Sequence, residues 1–177
     1  MSTEPATASA PPTTYKPGDV VVYPAHGVAE ITAVEVKEAG AQKVPFYVLK
    51  IRETGAKVMV AAHAASGSLR PVMSASAAEE VLDVLRAPEV ATTAQPWTRR
   101  HRIYTEMLKS GAPDAVAKVL RDMSRLRHDK DLSFAERKLL DQAKGLLLGE
   151  LSAAIGKSRP AMEQDVEAFF AVPLTAR

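Results

Sequence analysis

The sequence predicts an α+β protein in which a small antiparallel sheet is followed by a compact bundle of helices. Up to about residue 75, apolar residues alternate with polar ones or form short β-branched runs, which is typical of strands. Beyond that point apolar residues recur with helical spacing, and Ser and Pro stand where helices begin. The change from a strand period to a helical period therefore predicts a sheet in the first part of the chain and helices in the second.

Four segments of the first half are predicted to be strands. They are rich in Val, Ile, Tyr and Phe, and turns that contain Gly or Pro separate them. The predicted strands are Val20–Tyr23, 28–36, 46–51 and 57–60. Strands this short and this close together indicate a small, twisted, barrel-like antiparallel sheet.

The helices of the second half have recognisable ends. Their predicted starts are a capping box at Ser76 and Glu79, Trp97, Pro113, a second capping box at Ser133 and Glu136, and Pro160. Glycines are expected to end two of them, at Gly111 and Gly156. The bundle core is predicted to contain Ile103, Leu108, Val116, Leu120, Leu139, Leu146 and Leu147.

Composition divides the chain into a tail and two domains. Residues 1–14 are rich in Pro, Ala, Thr and Ser, so we expect a disordered tail rather than a secretory signal. A sheet domain is predicted at 15–73 and a helical domain at 74–177, with a Pro-bounded linker at 88–96. No apolar run reaches the roughly 18 residues of a membrane span, so we expect a soluble, cytoplasmic protein.

Signatures of catalysis and metal binding are missing from the sequence. The chain has no Cys, and its four His residues lie far apart, without the spacing of metal ligands. Neither a G-x-S-x-G elbow nor a Gly-rich phosphate loop occurs. The sequence therefore favours a binding protein over an enzyme, and we expect no cofactor and no metal.

The single tryptophan, Trp97, opens a predicted helix that carries Arg99, Arg100 and Arg102. Helix N-termini and arginines favour phosphate, and a flat apolar ring beside them can stack on a base or wedge into a distorted step. Residues 97–128 carry eight basic and three acidic side chains, which agrees with a nucleic-acid contact. Another interpretation stays open, in which Trp97 fills the bundle core and the arginines form a solvated surface.

The predicted strand at 57–60 carries Met59. A methionine most often lies in a core, but on an exposed strand it is an adaptable contact for a partner. A small open sheet also has edge strands, which can accept a partner strand through backbone hydrogen bonds.

Six segments, in order and with matching spacing over roughly residues 15–155, resemble the CarD/CdnL family of bacterial RNA polymerase-binding regulators. The first domain of that family also occurs in the transcription-repair coupling factor. The segments are YKPGDVVVYPAHGV at 15–28, FYVLKIRETGAKVMV at 46–60, GSLRPV at 67–72, PWTRRHRIYTEMLKSG at 96–111, AVAKVLRDM at 115–123 and DLSFAERKLLDQAKGLLLGEL at 131–151.

The resemblance implies a Tudor-like barrel that binds the RNA polymerase β subunit, partly by strand pairing. The matching positions for that contact are Lys37, Lys57, Met59 and Ala61. It also implies a helical domain that contacts promoter DNA, largely independently of sequence, just upstream of the −10 element and stabilises the open complex. There the tryptophan acts as a wedge, which is Trp97 here, with Arg99 and Arg100 at the paired basic positions and Arg102 extending the basic surface.

Two positions depart from the family pattern. Ala61 stands where family members commonly have proline, and Thr105 stands where some relatives have methionine. We expect a monomer that bridges polymerase and DNA. Two alternatives are an adaptor that binds polymerase without touching DNA and a Tudor/KOW-like RNA-binding protein that needs no polymerase.

Overall fold

The computed structural model describes residues 14–88 and 95–171. Most of the predicted tail (1–14) and most of the predicted linker (88–96) lie outside these residues. The strands of the described part are β1 (Val20–Tyr23), β2 (Gly27–Ala39), β3 (Gln42–Ile51), β4 (Lys57–Ala61) and β5 (Arg70–Pro71). Its helices are α1 (Ala62–Ser68), α2 (Ala75–Arg86), α3 (Trp97–Ser110), α4 (Pro113–Asp129), α5 (Phe134–Ile155) and α6 (Arg159–Phe170).

The strands form one antiparallel sheet in the order β4-β3-β2-β1-β5. The α+β class and the antiparallel pairing are confirmed, but the barrel is not, because the described strands form an open sheet with β4 and β5 at its edges. β2 and β3 are longer than predicted. Their hairpin stays paired from Ala29 and Ile51 to Ala39 and Gln42, so it projects beyond the rest of the sheet.

Helix α1 was not predicted. Its sequence consists mainly of Ala, Ser and Gly, so it lacks the apolar period that marks a helix, and no side chain caps its start. Its Ala65 is fully buried and packs with Ile31, Leu49 and Val60 on one face of the sheet. The helix therefore closes the small core of the sheet at a place where the sequence gives little local signal.

The helical core confirms most of the predicted residues and corrects one. Leu108, Val116, Leu120, Leu139 and Leu147 are buried, and Leu146 packs against them while half-buried. Ile103 is only half-buried, and the neighbouring Tyr104 takes the core position with 1% exposure. One position along a helix rotates a side chain by about 100°, so an error of one residue moves it off the core.

Helix ends follow the expected chemistry except at α2. The Ser133–Glu136 capping box, Pro113 in the first turn of α4, and left-handed glycines at Gly111 and Gly156 are present. The predicted box at Ser76 and Glu79 is wrong, because the Ser74 hydroxyl caps α2 by accepting from the Ala77 N–H. Among residues 14–88 and 95–171, no helix combines the length and apolar character needed to cross a bilayer.

The sheet packs on α5 through a stripe of small residues. An added Cβ at Gly149 would lie 3.9 Å from Val28 Cγ2, and one at Gly145 would lie 3.7 Å from the Glu53 carboxylate. At the other side of this contact, Arg70 on β5 forms a two-pronged ion pair with Glu150 on α5. The two cores consist of different residues, so this interface determines how the sheet and the helices are arranged.

Replacing Gly111 by alanine is expected to destabilise the protein more than replacing Gly156. Both glycines have left-handed backbones, with φ of 65° and 76°, where a Cβ costs about 1–2 kcal/mol. At Gly111 the new Cβ would also lie 2.7 Å from Pro24 Cβ, whereas nothing lies within 4 Å at Gly156. Urea denaturation of Gly111→Ala and Gly156→Ala measures the difference. Equal losses in the free energy of unfolding would mean that the short distance between Pro24 and Gly111 does not restrict the residue at position 111.

Candidate protein and nucleic-acid interfaces

Helix α3 begins at Trp97, directly after Pro96. The Pro96 carbonyl accepts hydrogen bonds from the backbone N–H groups of Arg99 and Arg100, both at 3.1 Å, and no side chain caps the helix start. An uncapped first turn leaves backbone N–H groups directed outward, together with the positive end of the helix dipole. The residues predicted to contact DNA therefore lie at the end of a helix that favours anions.

Trp97 is half-buried and packs against the helical core. The His101 ring lies edge-on to it, with ring centroids 5.4 Å apart, and the Arg100 guanidinium lies 5.4 Å from the Trp97 ring centroid. The buried Nε of Arg100 has no hydrogen-bond partner among the described residues. The geometry combines features of both interpretations, because one part of the ring contacts the protein while the rest is accessible.

The arginines of α3 fall into two groups. Arg99 and Arg102 are exposed and, three residues apart, lie on the same side of the helix. Arg100 is half-buried on the side of Trp97. Arg99 and Arg102 are thus free to meet a phosphate, whereas Arg100 is positioned to hold the tryptophan ring.

Some of the basic side chains of residues 97–128 are buried inside the helical bundle. Arg121 and Arg125 are 5% and 9% exposed. Arg121 pairs with the buried Asp122 at 2.9 Å, and Arg125 donates to the carbonyl oxygen of Ala87 at 2.7 Å, just after the end of α2. Burial raises the pKa of the Asp122 carboxyl, and burial together with the charge of Arg121 lowers the pKa of Arg125. The outer surface of these helices is therefore less basic than the sequence count implies.

The buried carboxylate also supports α3. The Tyr104 hydroxyl donates to Asp122 Oδ2 at 3.0 Å, while Arg121 donates to Oδ1 of the same residue. A buried polar group that is hydrogen-bonded in this way fixes the position of its partners. Tyr104 lies two turns after Trp97 on the same side of the helix, so the network fixes the rotation of α3 about its axis.

The four residues predicted to bind polymerase lie on one face of the sheet. Lys57, Met59 and Ala61 alternate along β4 and so share a face. Met59 is opposite Val48, Ala61 is opposite Phe46, and Lys37 is opposite Val44, and these β3 partners also alternate. Met59 is exposed, and β4 is paired on one side only within the described sheet.

Two accessible aromatic residues were not among the contacts predicted from the sequence. Phe46 is half-buried and lies on the same face of the sheet as Met59. Its alternation with Val44 and Val48 places it on that face, but the face can be assigned only when the strand register is known. Phe134, in the first turn of α5, is 77% exposed. The sequence around Phe134 indicates only a helix start, because Phe134 lies within the capping box of α5.

The described part of the chain contains no group of three or more His, Asp or Glu side chains that could hold a metal ion. The expected absence of a cofactor stays a prediction.

Comparison with known proteins agrees with this architecture. The model of the CarD-like/TRCF RID domain matches residues 15–73, and the model of the CarD C-terminal domain matches residues 80–167. The chain belongs to the CarD family. A Bacillus subtilis (strain 168) protein named "Putative transcription factor YdeB" is 33% identical to this CarD-family chain over 140 residues, which cover 78% of the chain and 91% of the relative. These matches support a transcription regulator rather than an enzyme.

The exposed and half-buried arginines of α3 are expected to differ in their effect on the salt dependence of DNA binding. Arg99→Ala and Arg102→Ala should each reduce the slope of log affinity against log salt for duplex DNA by about 0.9, the value for one phosphate contact. Arg100→Ala should change that slope less, because its guanidinium packs on Trp97. Fluorescence anisotropy with a promoter duplex at several salt concentrations measures the slopes, with Arg52→Ala, at an exposed position in the turn after β3, as the matched control. Equal slopes for all four variants would exclude α3 from the phosphate contact.

Proposed function

We propose that this chain binds the RNA polymerase β subunit with its sheet domain (15–73) and promoter DNA with its helical domain (74–177), and so stabilises the open promoter complex. The observation that carries the proposal is the presence of two separate exposed surfaces in a member of the CarD family. One is the free edge of β4 with Met59, and the other is the start of α3 with Trp97. The chain acts as a monomer in the cytoplasm, associated with the nucleoid through polymerase.

The contact with polymerase uses the free edge of β4. An edge strand has unpaired backbone N–H and C=O groups that a partner strand can complete. Met59 is an exposed, adaptable apolar contact on this strand, and Lys37 and Lys57 add positive charge on the same face. A strand of the β subunit that carries apolar residues facing Met59 and acidic residues facing the lysines fits this surface.

The contact with DNA lies at the upstream edge of the −10 element. Arg99 and Arg102 bind backbone phosphates, which carry no sequence information, so this contact is largely independent of sequence. The accessible part of the Trp97 ring wedges into the distorted step at the edge of the bubble, and Arg100 and His101 hold the ring from behind.

Bridging explains how a weak DNA contact has a large effect. Two exposed arginines neutralise few phosphates, so DNA binding by the chain alone is weak and salt-sensitive. Attachment to polymerase raises the effective concentration of α3 at the promoter to the order of millimolar. A contact formed only with melted DNA shifts the closed-to-open equilibrium, and about 1.4 kcal/mol changes the ratio of the two states tenfold.

A second candidate function is an adaptor that binds polymerase without touching DNA. The packing of Trp97 on the helical core and the burial of Arg121 and Arg125 favour it. A photo-crosslinking amino acid at Thr98, exposed beside Trp97, distinguishes the two functions in a complex of polymerase and promoter. Crosslinks to DNA support the bridging function, crosslinks to protein alone support the adaptor, and crosslinks to RNA without polymerase would support an RNA-binding protein.

Met59→Glu is expected to abolish binding to polymerase. A carboxylate placed in a strand-pairing interface loses its hydration without gaining a partner, which costs several kcal/mol. Val36→Glu is the matched control, because Val36 is also an exposed apolar residue but lies on the opposite face of the sheet. Pull-down of polymerase with the two variants checks the prediction. Equal loss in both, or in neither, would contradict the assignment of the β4 face.

Trp97→Ala is expected to shorten the open-complex lifetime more than it lowers stability. Loss of a ring that stacks on a base costs about 1–3 kcal/mol. Because Trp97 is half-buried, the loss of folding stability should stay below the roughly 3–5 kcal/mol typical of a core tryptophan. Thermal melting and open-complex lifetime, measured on the same preparation, give both values, and Trp97→Phe is the control that keeps an aromatic ring. An unchanged lifetime in a well-folded variant would remove Trp97 from the mechanism.

A further inference from the structure

Two ion pairs join the sheet part to the helices, Glu53–Arg159 and Arg70–Glu150, and of the two Glu150 has the more buried carboxylate. Nη1 and Nη2 of Arg70, on β5, donate to the two carboxylate oxygens of Glu150, on α5, at 2.5 and 2.8 Å. The Glu150 side chain is 4% exposed. Two parallel hydrogen bonds between a planar guanidinium and a carboxylate define both the distance and the angle between the two groups.

The same pair also holds the end of α3. Arg70 Nη2 donates to the carbonyl oxygen of Gly111, the residue that caps α3, at 3.0 Å. Glu150 Oε1 accepts from the backbone N–H of Met73, at 3.0 Å, in the connection between β5 and α2. One ion pair therefore joins β5, the connection before α2, the end of α3 and the last third of α5.

The end of α3 also lies close to a turn of the sheet. Pro24 and Ala25, in the turn between β1 and β2, lie so close to Gly111 that a Cβ there would be 2.7 Å from Pro24 Cβ. Gly111 therefore accepts a hydrogen bond from β5 and also lies against the turn between β1 and β2. The end of α3 is held to the sheet by these two contacts.

We propose that Arg70 and Glu150 are positioning residues that set the angle between α3 and the sheet. This inference rests on the proposed function, because the angle determines where Trp97 lies relative to the polymerase-binding strand β4. Helix α3 has 14 residues and is about 21 Å long at 1.5 Å per residue. A 10° change at Gly111 would move the other end of the helix by roughly 4 Å, slightly more than the 3.4 Å spacing of successive bases.

A purely stabilising role would not need an ion pair. A buried ion pair contributes little net stability, and well-packed apolar residues of similar volume often replace it without loss. Arg70→Met combined with Glu150→Leu removes both charges together and so leaves no unpaired buried carboxylate. Neither new side chain can hold the Gly111 carbonyl, so this double variant separates folding stability from positioning.

The test measures distance and function in the full-length chain. Because the chain has no cysteine, spin labels at Lys43→Cys and Glu106→Cys, two exposed positions on the sheet and on α3, are the only labelled sites. We expect one narrow distance distribution by double electron–electron resonance in the parent chain and a broad one in the double variant. Asp165→Asn, which removes an exposed ion pair with Lys157 inside the helical part, is the control and should leave the distribution narrow.

Function is measured on unlabelled variants. The double variant should bind polymerase as the parent does, while the open-complex lifetime falls by about tenfold, equivalent to about 1.4 kcal/mol. Glu150→Gln, which keeps one acceptor oxygen, should give an intermediate lifetime. An unchanged distance distribution in a folded double variant overturns the positioning role, as does a broad distribution with an unchanged lifetime. A parent chain without effect on the lifetime refutes the proposed function instead, and the distance measurement still decides whether the ion pair sets the angle.

Discussion

The arrangement of this protein depends on the contact between Arg70 and Glu150. The sheet and the helices each have a core, and the two sets of core residues do not overlap in the described part of the chain. Val28, which is buried outside both cores, lies beside α5 and adds an apolar contact between the two parts. Small residues of α5 allow close approach to the sheet, and an ion pair between Glu53 and Arg159 joins the turn after β3 to α6. The two parallel hydrogen bonds of Arg70 and Glu150 are the directional contact that we propose selects the angle.

Much of the fold was predictable because periodicity and caps act locally. The strand Val20–Tyr23, the Ser133 capping box and the left-handed glycines follow from a few neighbouring residues. Whether the sheet is open or closed into a barrel was not predictable in this way, because that depends on which strands pair at long range. Helix α1 was missed because burial of Ala65 under the sheet, rather than any apolar period, stabilises it.

The candidate site was predictable in its residue types but not in their roles. The sequence identified Trp97 and its arginines, yet it could not tell that Arg121 and Arg125 lie inside the bundle, because charge counts do not distinguish surface from core. The common face of Lys37 and Met59 follows only from the register of three strands. Arg70 was part of a recognised segment, but its ionic partner lies 80 residues away in sequence.

A rigid connection matters most when both contacts are weak. In the proposed bridging function, DNA binding at α3 stabilises the polymerase complex fully only if it does not first have to order the two domains relative to each other. A flexible connection would lower the effective concentration of Trp97 at the bubble and would allow the ring to reach closed and melted DNA alike, which removes the differential affinity that shifts the equilibrium. A fixed angle restricts the ring to one position, and the contact then favours whichever promoter state presents a distorted base step at that position.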